Sequence, residues 1–244
     1  MNSGYYAAFS GLVARLEALD VIANNLANVN VTGFRGQREF YSAVTANLTG
    51  QSLTPLNRAI NDFGVLGGAR LDLRQGSLQS TGNNFDLAIN GTAFFAVQTA
   101  RGVRYTRNGS FHVDSEGHVV TQEGDAVLGP AGPIVLPPGE PTIAEDGTIG
   151  VSGAVAGQVR MVDFAPGTDL VSEGNSSFAA PQGAGQPATD SKIEQGMLES
   201  SNLNPIQQTV TMMALQRHAE LLERTLSVFQ NDFNKTAIED MARD

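Results

Sequence analysis

Apolar residues recur with heptad spacing at both ends of this chain, whereas the stretch between them contains many glycines and short apolar runs. A heptad spacing places its apolar side chains along one stripe of an α-helix. The sequence therefore predicts two amphipathic terminal helices that need each other or copies of themselves, which is typical of an assembly protein. The two stripes are Phe9, Leu12, Leu16, Leu19, Ala23 and Leu26, and Met212, Leu215, Ala219, Leu222, Leu226, Phe229 and Phe233.

The central stretch has the pattern of antiparallel β-structure. Phe85–Ile89 alternates apolar and polar residues up to the turn pair Asn90-Gly91, and similar short runs continue to about residue 199. The predicted fold class is α+β, with long N- and C-terminal helices forming a coiled-coil pair and a central irregular antiparallel β-rich domain. The predicted segments are a helix over 1–30, an extended connecting region over 31–75 with a short helical piece near Glu39 to Leu48, a β-rich domain over 76–200, and a helix over 201–244.

Local signals mark the boundaries of both helices. Asn204 can act as the N-cap of the second helix, Pro205 suits the first helical position, and Gln207 completes a capping-box arrangement. Asn28 and Gly33 tolerate the left-handed backbone conformation that ends helices, so the first helix is predicted to end near Asn28.

Composition argues against several classes of protein. The net charge is −10 and the only lysines are Lys192 and Lys235, so nucleic acid is not an expected partner. Cysteine is absent and the three histidines lack ligand spacing, so we expect no metal and no cofactor. No stretch approaches the roughly 20 apolar residues of a membrane span, and the N-terminus lacks the basic region of a cleaved signal. Composition alone indicates a cytoplasmic protein without membrane insertion.

Motifs for catalysis are sparse. The nucleophile elbow, the phosphate loop and the zinc-binding helix motif are absent from the sequence. Four carboxylates of the strand region could in principle form a glycosidase pair, but we favour turn residues because their spacing suits turns equally well. Two other classes stay open, a cell-wall hydrolase and a monomeric binding module whose helices pack on its own sheet. The four carboxylates are Asp114, Glu116, Glu123 and Asp125.

One N-terminal segment resembles the signature of the bacterial flagellar rod and hook protein family. It reads Ser10-Gly-Leu, followed by Leu19-Asp-Val-Ile-Ala-Asn-Asn-Leu-Ala-Asn-Val-Asn-Val-Thr-Gly-Phe34. The resemblance implies an axial component of the flagellum without enzymatic activity, in which paired terminal helices form an inner coiled-coil tube and a β-rich domain forms the outer layer. Four further segments resemble the family's other signatures in the same order, namely Gly82–Phe95, Tyr105–Phe111, Gly196–Asn204 and Gln216–Glu220.

The resemblance also implies partners and a location. The implied partners are copies of this chain, other flagellar rod proteins, and the flagellar type III export apparatus, through which the subunit leaves the cell without cleavage. The implied location is the basal-body rod that spans the periplasm, which replaces the cytoplasmic expectation. Within the family, the short length and single β-rich domain favour the proximal part of the rod. The sequence Ala23-Asn-Asn-Leu-Ala-Asn28 is closer to that of the distal rod subunit.

The apolar stripes would then form the seam between helices of the assembled rod. Asn24 and Asn25 lie inside the first helix, so we expect their amides to bridge neighbouring subunits, whereas Asn28 is expected to cap the helix. The alternative is that all three asparagines only end the helix. The predicted assembly interface comprises Leu12, Leu16, Leu19, Ala23, Asn24, Asn25, Leu26, Asn28, Met212, Leu215, Leu222, Leu226, Phe229 and Phe233.

Overall fold

The computed structural model describes the backbone of residues 2–42 and 65–241. Within this part, helix α1 (Asn2–Ala27) precedes the strands along the chain and helix α2 (Pro205–Met241) follows them. The chain divides into two compact units. The first, the helical unit, contains α1, α2 and the paired strands β1 and β2; the second, the β-rich unit, contains residues 28–36 and 71–203.

The strands are short, as the frequent turn residues require. Two of them, β1 (Gln37–Ser42) and β2 (Val65–Leu71), precede the β-rich region. The others are β3 (Leu78–Ser80), β4 (Leu87–Asn90), β5 (Phe94–Thr99), β6 (Gly102–Thr106), β7 (Phe111–Val113), β8 (Val119–Thr121), β9 (Ala126–Gly129), β10 (Gly132–Pro133), β11 (Pro141–Ile143), β12 (Thr148–Val151), β13 (Ala154–Gln158), β14 (Met161–Phe164), β15 (Val171–Ser172), β16 (Ser177–Ala179), β17 (Gly185–Pro187), β18 (Lys192–Gln195) and β19 (Met197–Glu199).

The β-rich unit is built from antiparallel pairs around one main apolar core. Its largest sheet has the order β15-β16-β6-β5-β9-β8-β7, with β10, β14 and β17 attached beside it, and smaller sheets join β11-β12-β13, β18-β4 and β19-β3. Alternation along β5 sends Phe95 into the main core, where its ring meets Phe111 edge-on at 5.1 Å. The other face of β5 carries Phe94, which packs on Phe178 in a second cluster. The predicted antiparallel β-rich region is thus confirmed.

Helix α2 begins where the sequence indicates. The Asn204 side-chain oxygen accepts hydrogen bonds from the backbone N–H groups of Ile206 (3.0 Å) and Gln207 (3.1 Å), which have no acceptor within the first turn. Asn204 is therefore confirmed as the N-cap. The helix continues through residue 241.

The two helices pack against each other in opposite directions. Ala18 and Ile22 of α1 contact Leu215 of α2, whereas Tyr5 near the start of α1 meets Gln230 far along α2. The buried face of α1 consists mainly of small residues. Most of them precede a residue of the predicted stripe by one position in the sequence. This face comprises Ala8, Gly11, Ala14, Ala18, Ile22 and Asn25.

The predicted coiled-coil pair is wrong. A coiled coil would insert the large heptad side chains of α1 between the side chains of α2. Instead Phe9 and Leu16 remain 49% and 47% exposed, while Ala18 is fully buried. One residue along a helix is a rotation of about 100°, so a shift of one position turns the large side chains away from the partner helix. Small side chains thus make up most of the buried face of α1, although the heptad residue Leu19 still packs on the cluster formed by Ala18, Ile22 and Leu215.

The connecting region also differs from expectation at its start. The short helical piece was expected near Glu39 to Leu48, but Gln37–Ser42 form strand β1. Residues 43–48 of that expectation lie outside the described residues.

Candidate assembly surface

The exposed apolar side chains of the helices form a surface that neither helix covers. On α1, Phe9, Val13 and Leu16 are 49%, 37% and 47% exposed and follow an i, i+4, i+7 spacing, so they share one face. We call these three residues the α1 stripe. Asp20 and Glu17 continue this exposed side toward the end of α1, which places negative charge beside the apolar residues.

Helix α2 carries a second apolar face that sequence reasoning missed. Ile206, Val210 and Met213 are 75%, 56% and 47% exposed with the same i, i+4, i+7 spacing, and Leu221 and Val228 extend that side. We call these five residues the α2 stripe. The heptad count favoured the other side of α2, although the spacing of the α2 stripe is visible in the sequence.

Two of the predicted interface residues of α2, Met212 and Leu215, pack against α1. Leu215 and Leu226 are each 8% exposed, and Met212 and Leu222 are half-buried. Phe229 is 41% exposed, and the side chain of Phe233 lies outside the described residues. The part of this side around Met212 and Leu215 therefore faces α1 of the same chain. A role of the predicted α2 residues between subunits stays a prediction.

The remaining predicted residues of α1 are divided between buried and exposed positions. Leu12, Leu19 and Leu26 are half-buried, and Ala23 and Asn24 are exposed. Each position lies at the border of the buried face or beyond it, as the rotation of α1 requires. The structure thus leaves only part of the predicted α1 interface available to a second subunit.

The Asn25 side chain forms hydrogen bonds within its own chain. Its side chain is 1% exposed, its Oδ1 accepts from the Gln37 N–H at 2.9 Å, and its Nδ2 donates to the Gln37 carbonyl at 2.8 Å. Both hydrogen bonds attach the start of β1 to α1, so the bridge between subunits expected of Asn25 is replaced by a bridge within the helical unit. Asn28 is the first residue beyond α1, and its carbonyl accepts from the Val31 N–H at 3.0 Å. The capping role of Asn28 stays a prediction.

A buried charge cluster in the β-rich unit also escaped the sequence interpretation. Glu199, at the end of β19, binds Arg35 through Oε1 at 2.6 Å and Arg107 through Oε2 at 3.1 Å. The three side chains are at most 1% exposed. Burial, followed by the nearby Arg35 charge, lowers the pKa of Arg107 to about 10, so Arg107 still carries its charge at neutral pH.

The four carboxylates considered for catalysis lie at hairpin turns. Asp114 Oδ1 accepts from the backbone N–H groups of Glu116 (2.8 Å) and His118 (2.9 Å), which is a turn-forming role. Among residues with described side chains, no group of three acidic or histidine side chains is placed to hold a metal ion. Neither described helix is long and apolar enough to cross a membrane.

Large exposed apolar side chains on both helices are typical of a subunit that assembles with others, and comparisons with known proteins identify the family. Models described as "Flagella basal body rod protein", "Flagellar hook protein FlgE/F/G D1 domain" and "Flagellar basal body rod FlgEFG protein C-terminal" match residues 6–35, 88–156 and 194–221. The flagellar basal-body rod protein FlgF of Mesorhizobium japonicum is 35% identical over 90% of each chain. FlgF of Caulobacter vibrioides is 34% identical over 93% of each chain, and FlgG of Borreliella burgdorferi is 32% identical over 95% of this chain and 96% of its own.

The chain belongs to the flagellar basal-body rod protein family. It is a structural subunit of the rod in the flagellar basal body and assembles with other rod components. The family resemblance drawn from the sequence motifs is therefore confirmed.

Proposed function

We propose that this chain is a proximal rod subunit that binds copies of itself and neighbouring rod proteins through the α1 stripe and the α2 stripe, and so transmits motor torque. The observation that carries the proposal is the exposure of large apolar side chains on the helices. Phe9 and Ile206, at 49% and 75% exposed, would each lose contact with water in a packed shaft. Full burial of such a side chain stabilises by about 1.5–3 kcal/mol, so a few of them per contact support assembly.

Charge beside the two stripes favours contact between α1 of one copy and α2 of another. Asp20 lies on the exposed side of α1, and Arg217 lies on the exposed side of α2 between Met213 and Leu221. In an antiparallel arrangement, pairing Asp20 with Arg217 also sets Leu16 opposite Leu221. Such complementarity selects a register and suppresses other pairings.

Substitution of the α2 stripe tests this assignment. We expect Leu221→Asp to prevent rod assembly in cells that carry it as their only copy, because an unpaired charge would be buried at every repeat of the contact. Val171→Asp, at an exposed apolar position of the β-rich unit, is the matched control and should permit assembly. Normal rods with Leu221→Asp would refute the role of the α2 stripe.

The distal rod is the alternative position. The FlgF and FlgG relatives match nearly the whole chain at 35%, 34% and 32% identity, so identity alone does not separate the two positions. The single β-rich unit favours the proximal rod. Labelled protein located by electron microscopy in isolated basal bodies would decide between them.

The proposal includes export by the flagellar type III apparatus and no enzymatic activity. A chain without cysteine forms no disulfide that would hinder passage of an unfolded subunit. An apolar cavity of the β-rich unit, lined by residues such as Leu87, Val127 and Ile149, offers no acid or base for hydrolysis. Release of soluble fragments from peptidoglycan by the purified protein would contradict the absence of activity.

A further inference from the structure

Glu199 is the meeting point of three segments that are far apart in the sequence. Its Oε1 accepts from Arg35 Nη1 at 2.6 Å and from the Gly76 N–H at 2.7 Å, and its Oε2 accepts from Arg107 Nη1 at 3.1 Å. Arg35 is 164 residues away along the chain and Arg107 is 92 residues away. One buried carboxylate thus connects the start, the middle and the end of the β-rich unit.

Arg35 lies in the entry segment, by which the chain comes from α1 into the β-rich unit, and Glu199 lies in the exit segment, by which the chain leaves that unit for α2. Residues 28–36 follow α1 directly, and residues 199–203 lead directly to the N-cap of α2. The Gly33 N–H donates to the Glu199 carbonyl at 2.7 Å, and the Gly36 N–H donates to Asn202 Oδ1 at 2.9 Å. The entry and exit segments are therefore joined by one hydrogen bond between backbone groups and one between a backbone N–H and a side chain.

The entry segment packs closely on its neighbours at two glycines. Gly33 has φ +66°, and a Cβ there would collide with the backbone of Arg107 and Asn108. A Cβ on Gly36 would collide with the side chain of Leu203. The entry segment thus lies directly on its neighbours. The positive φ and the backbone contact favour glycine at position 33, whereas a Cβ at position 36 would have to displace the Leu203 side chain.

The general energetics of buried ions point to a role of this cluster in geometry. Burying ions has a desolvation cost, and apolar side chains of similar volume often stabilise a protein equally well. An ion cluster does require defined distances and directions. Further contacts fix the position of the Arg107 guanidinium. It also donates to the carbonyls of Ile89 (3.1 Å) and Gly91 (2.6 Å), and it lies 5.0 Å from the Phe94 ring centroid.

We propose that Glu199 is a positioning residue that clamps the entry segment to the exit segment, so that the two chain connections leading to α1 and α2 are held in one fixed geometry. In a rod subunit, force that arrives along either connection then acts on the same buried attachment. The proposal depends on membership of the rod family and is independent of the proximal position and of the proposed helix stripes.

Glu199→Gln tests the clamp, because it keeps the shape of the side chain and removes its charge. Glu173→Gln is the matched control, since Glu173 also binds two arginines, Arg104 at 2.9 Å and Arg101 at 3.2 Å, but lies partly exposed at a hairpin. Amide hydrogen exchange of the purified full chain should become at least about tenfold faster at Gly33 in Glu199→Gln, with little change in β5. The Glu173→Gln control should leave Gly33 unchanged.

Two results would overturn the proposal. One is unchanged exchange at Gly33 in Glu199→Gln, and the other is an equal acceleration at Gly33 and in β5, which indicates general destabilisation. If Glu199→Gln does not fold, Arg35→Met decides, because it leaves Arg107 and Glu199 as a neutral pair and should loosen only the entry segment. Equal acceleration of amide exchange at Gly33 and in β5 of Arg35→Met would contradict the clamp.

Lysine substitutions give an independent functional readout. Arg35 contributes one hydrogen bond to the cluster, which lysine can also make, whereas Arg107 uses two nitrogens for three acceptors. Cells with Arg35→Lys should therefore swim in viscous medium close to wild-type speed, and cells with Arg107→Lys should not. Equal swimming speeds of the two variants would refute this arrangement of the clamp.

Discussion

Leu16→Asp is the substitution that separates the stability of the chain from its assembly. The Leu16 side chain is 47% exposed in the single chain, so about half of its burial already exists there. Loss of that half is expected to cost about 1 kcal/mol in the isolated subunit, since full burial of leucine stabilises by about 1.5–3 kcal/mol. Burial of the rest between subunits would add a similar loss, and an unpaired buried charge adds several kcal/mol more.

The effect on assembly should therefore exceed the effect on folding. A loss of about 4 kcal/mol for each contact corresponds to an affinity roughly a thousandfold weaker. The assay counts rods in basal bodies isolated from cells that carry only the variant, and urea titration of the purified subunit measures its stability. Val155→Asp is the matched control, since Val155 is 76% exposed on the edge strand β13 of the β-rich unit. Normal rod numbers with Leu16→Asp would refute the reasoning.

Three further predictions concern the isolated chain. Ala18 is fully buried, so Ala18→Leu should destabilise the helix pair by about 1–3 kcal/mol through overpacking, whereas Ala23→Leu at an exposed position should not; thermal unfolding followed by circular dichroism compares them. Hydrogen bonds from backbone N–H groups, first that of His118, lower the pKa of Asp114, so the Asp114 carboxylate should hold the His118 amide until the pH falls below the ordinary aspartate value of about 3.9. An amide chemical-shift titration that centres at or above that value would contradict this sign. A fragment of residues 71–203 should fold with dispersed amide shifts, because Arg107 and Glu199 stay paired as a neutral couple without Arg35.

Local signals allowed much of the secondary structure to be predicted. The Asn204 cap followed by Pro205 is a chemical pattern within a few residues, and it depends little on distant contacts. The turn pair Asn90-Gly91 likewise ends β4 where expected, with Gly91 at φ +136°. Such signals depend only on residues that are neighbours in the sequence, so they can be recognised before the fold is known.

The buried face of α1 could not be predicted in the same way. Helix α1 carries large apolar residues on one side and small ones on the adjacent side, and a heptad count favours the large ones. Ala18 removes little apolar area from water, yet its size permits close approach of α2. The choice between the two faces depends on the summed packing of both helices, which periodicity does not report.

The charge cluster was missed for a different reason. Arg35, Arg107 and Glu199 are separated by tens of residues, and charged side chains are mostly exposed unless they are paired. No spacing rule connects them. The available signal was that Arg107 and Glu199 lie inside motifs shared with the rod and hook family, while Arg35 directly follows a third.

The most direct test of the assembly surface uses a single cysteine in this cysteine-free chain. Leu16→Cys places a thiol in the middle of the α1 stripe, and its rate of labelling by a water-soluble maleimide is measured in the released subunit and in intact isolated basal bodies. Val155→Cys, on the exposed edge strand β13, reports the same comparison away from the helices. We expect the Leu16→Cys thiol to react readily in the released subunit and at least about tenfold more slowly in the basal body, because burial between subunits excludes the reagent. An equal rate in both states would show that the α1 stripe remains open to solvent in the rod, which contradicts the account.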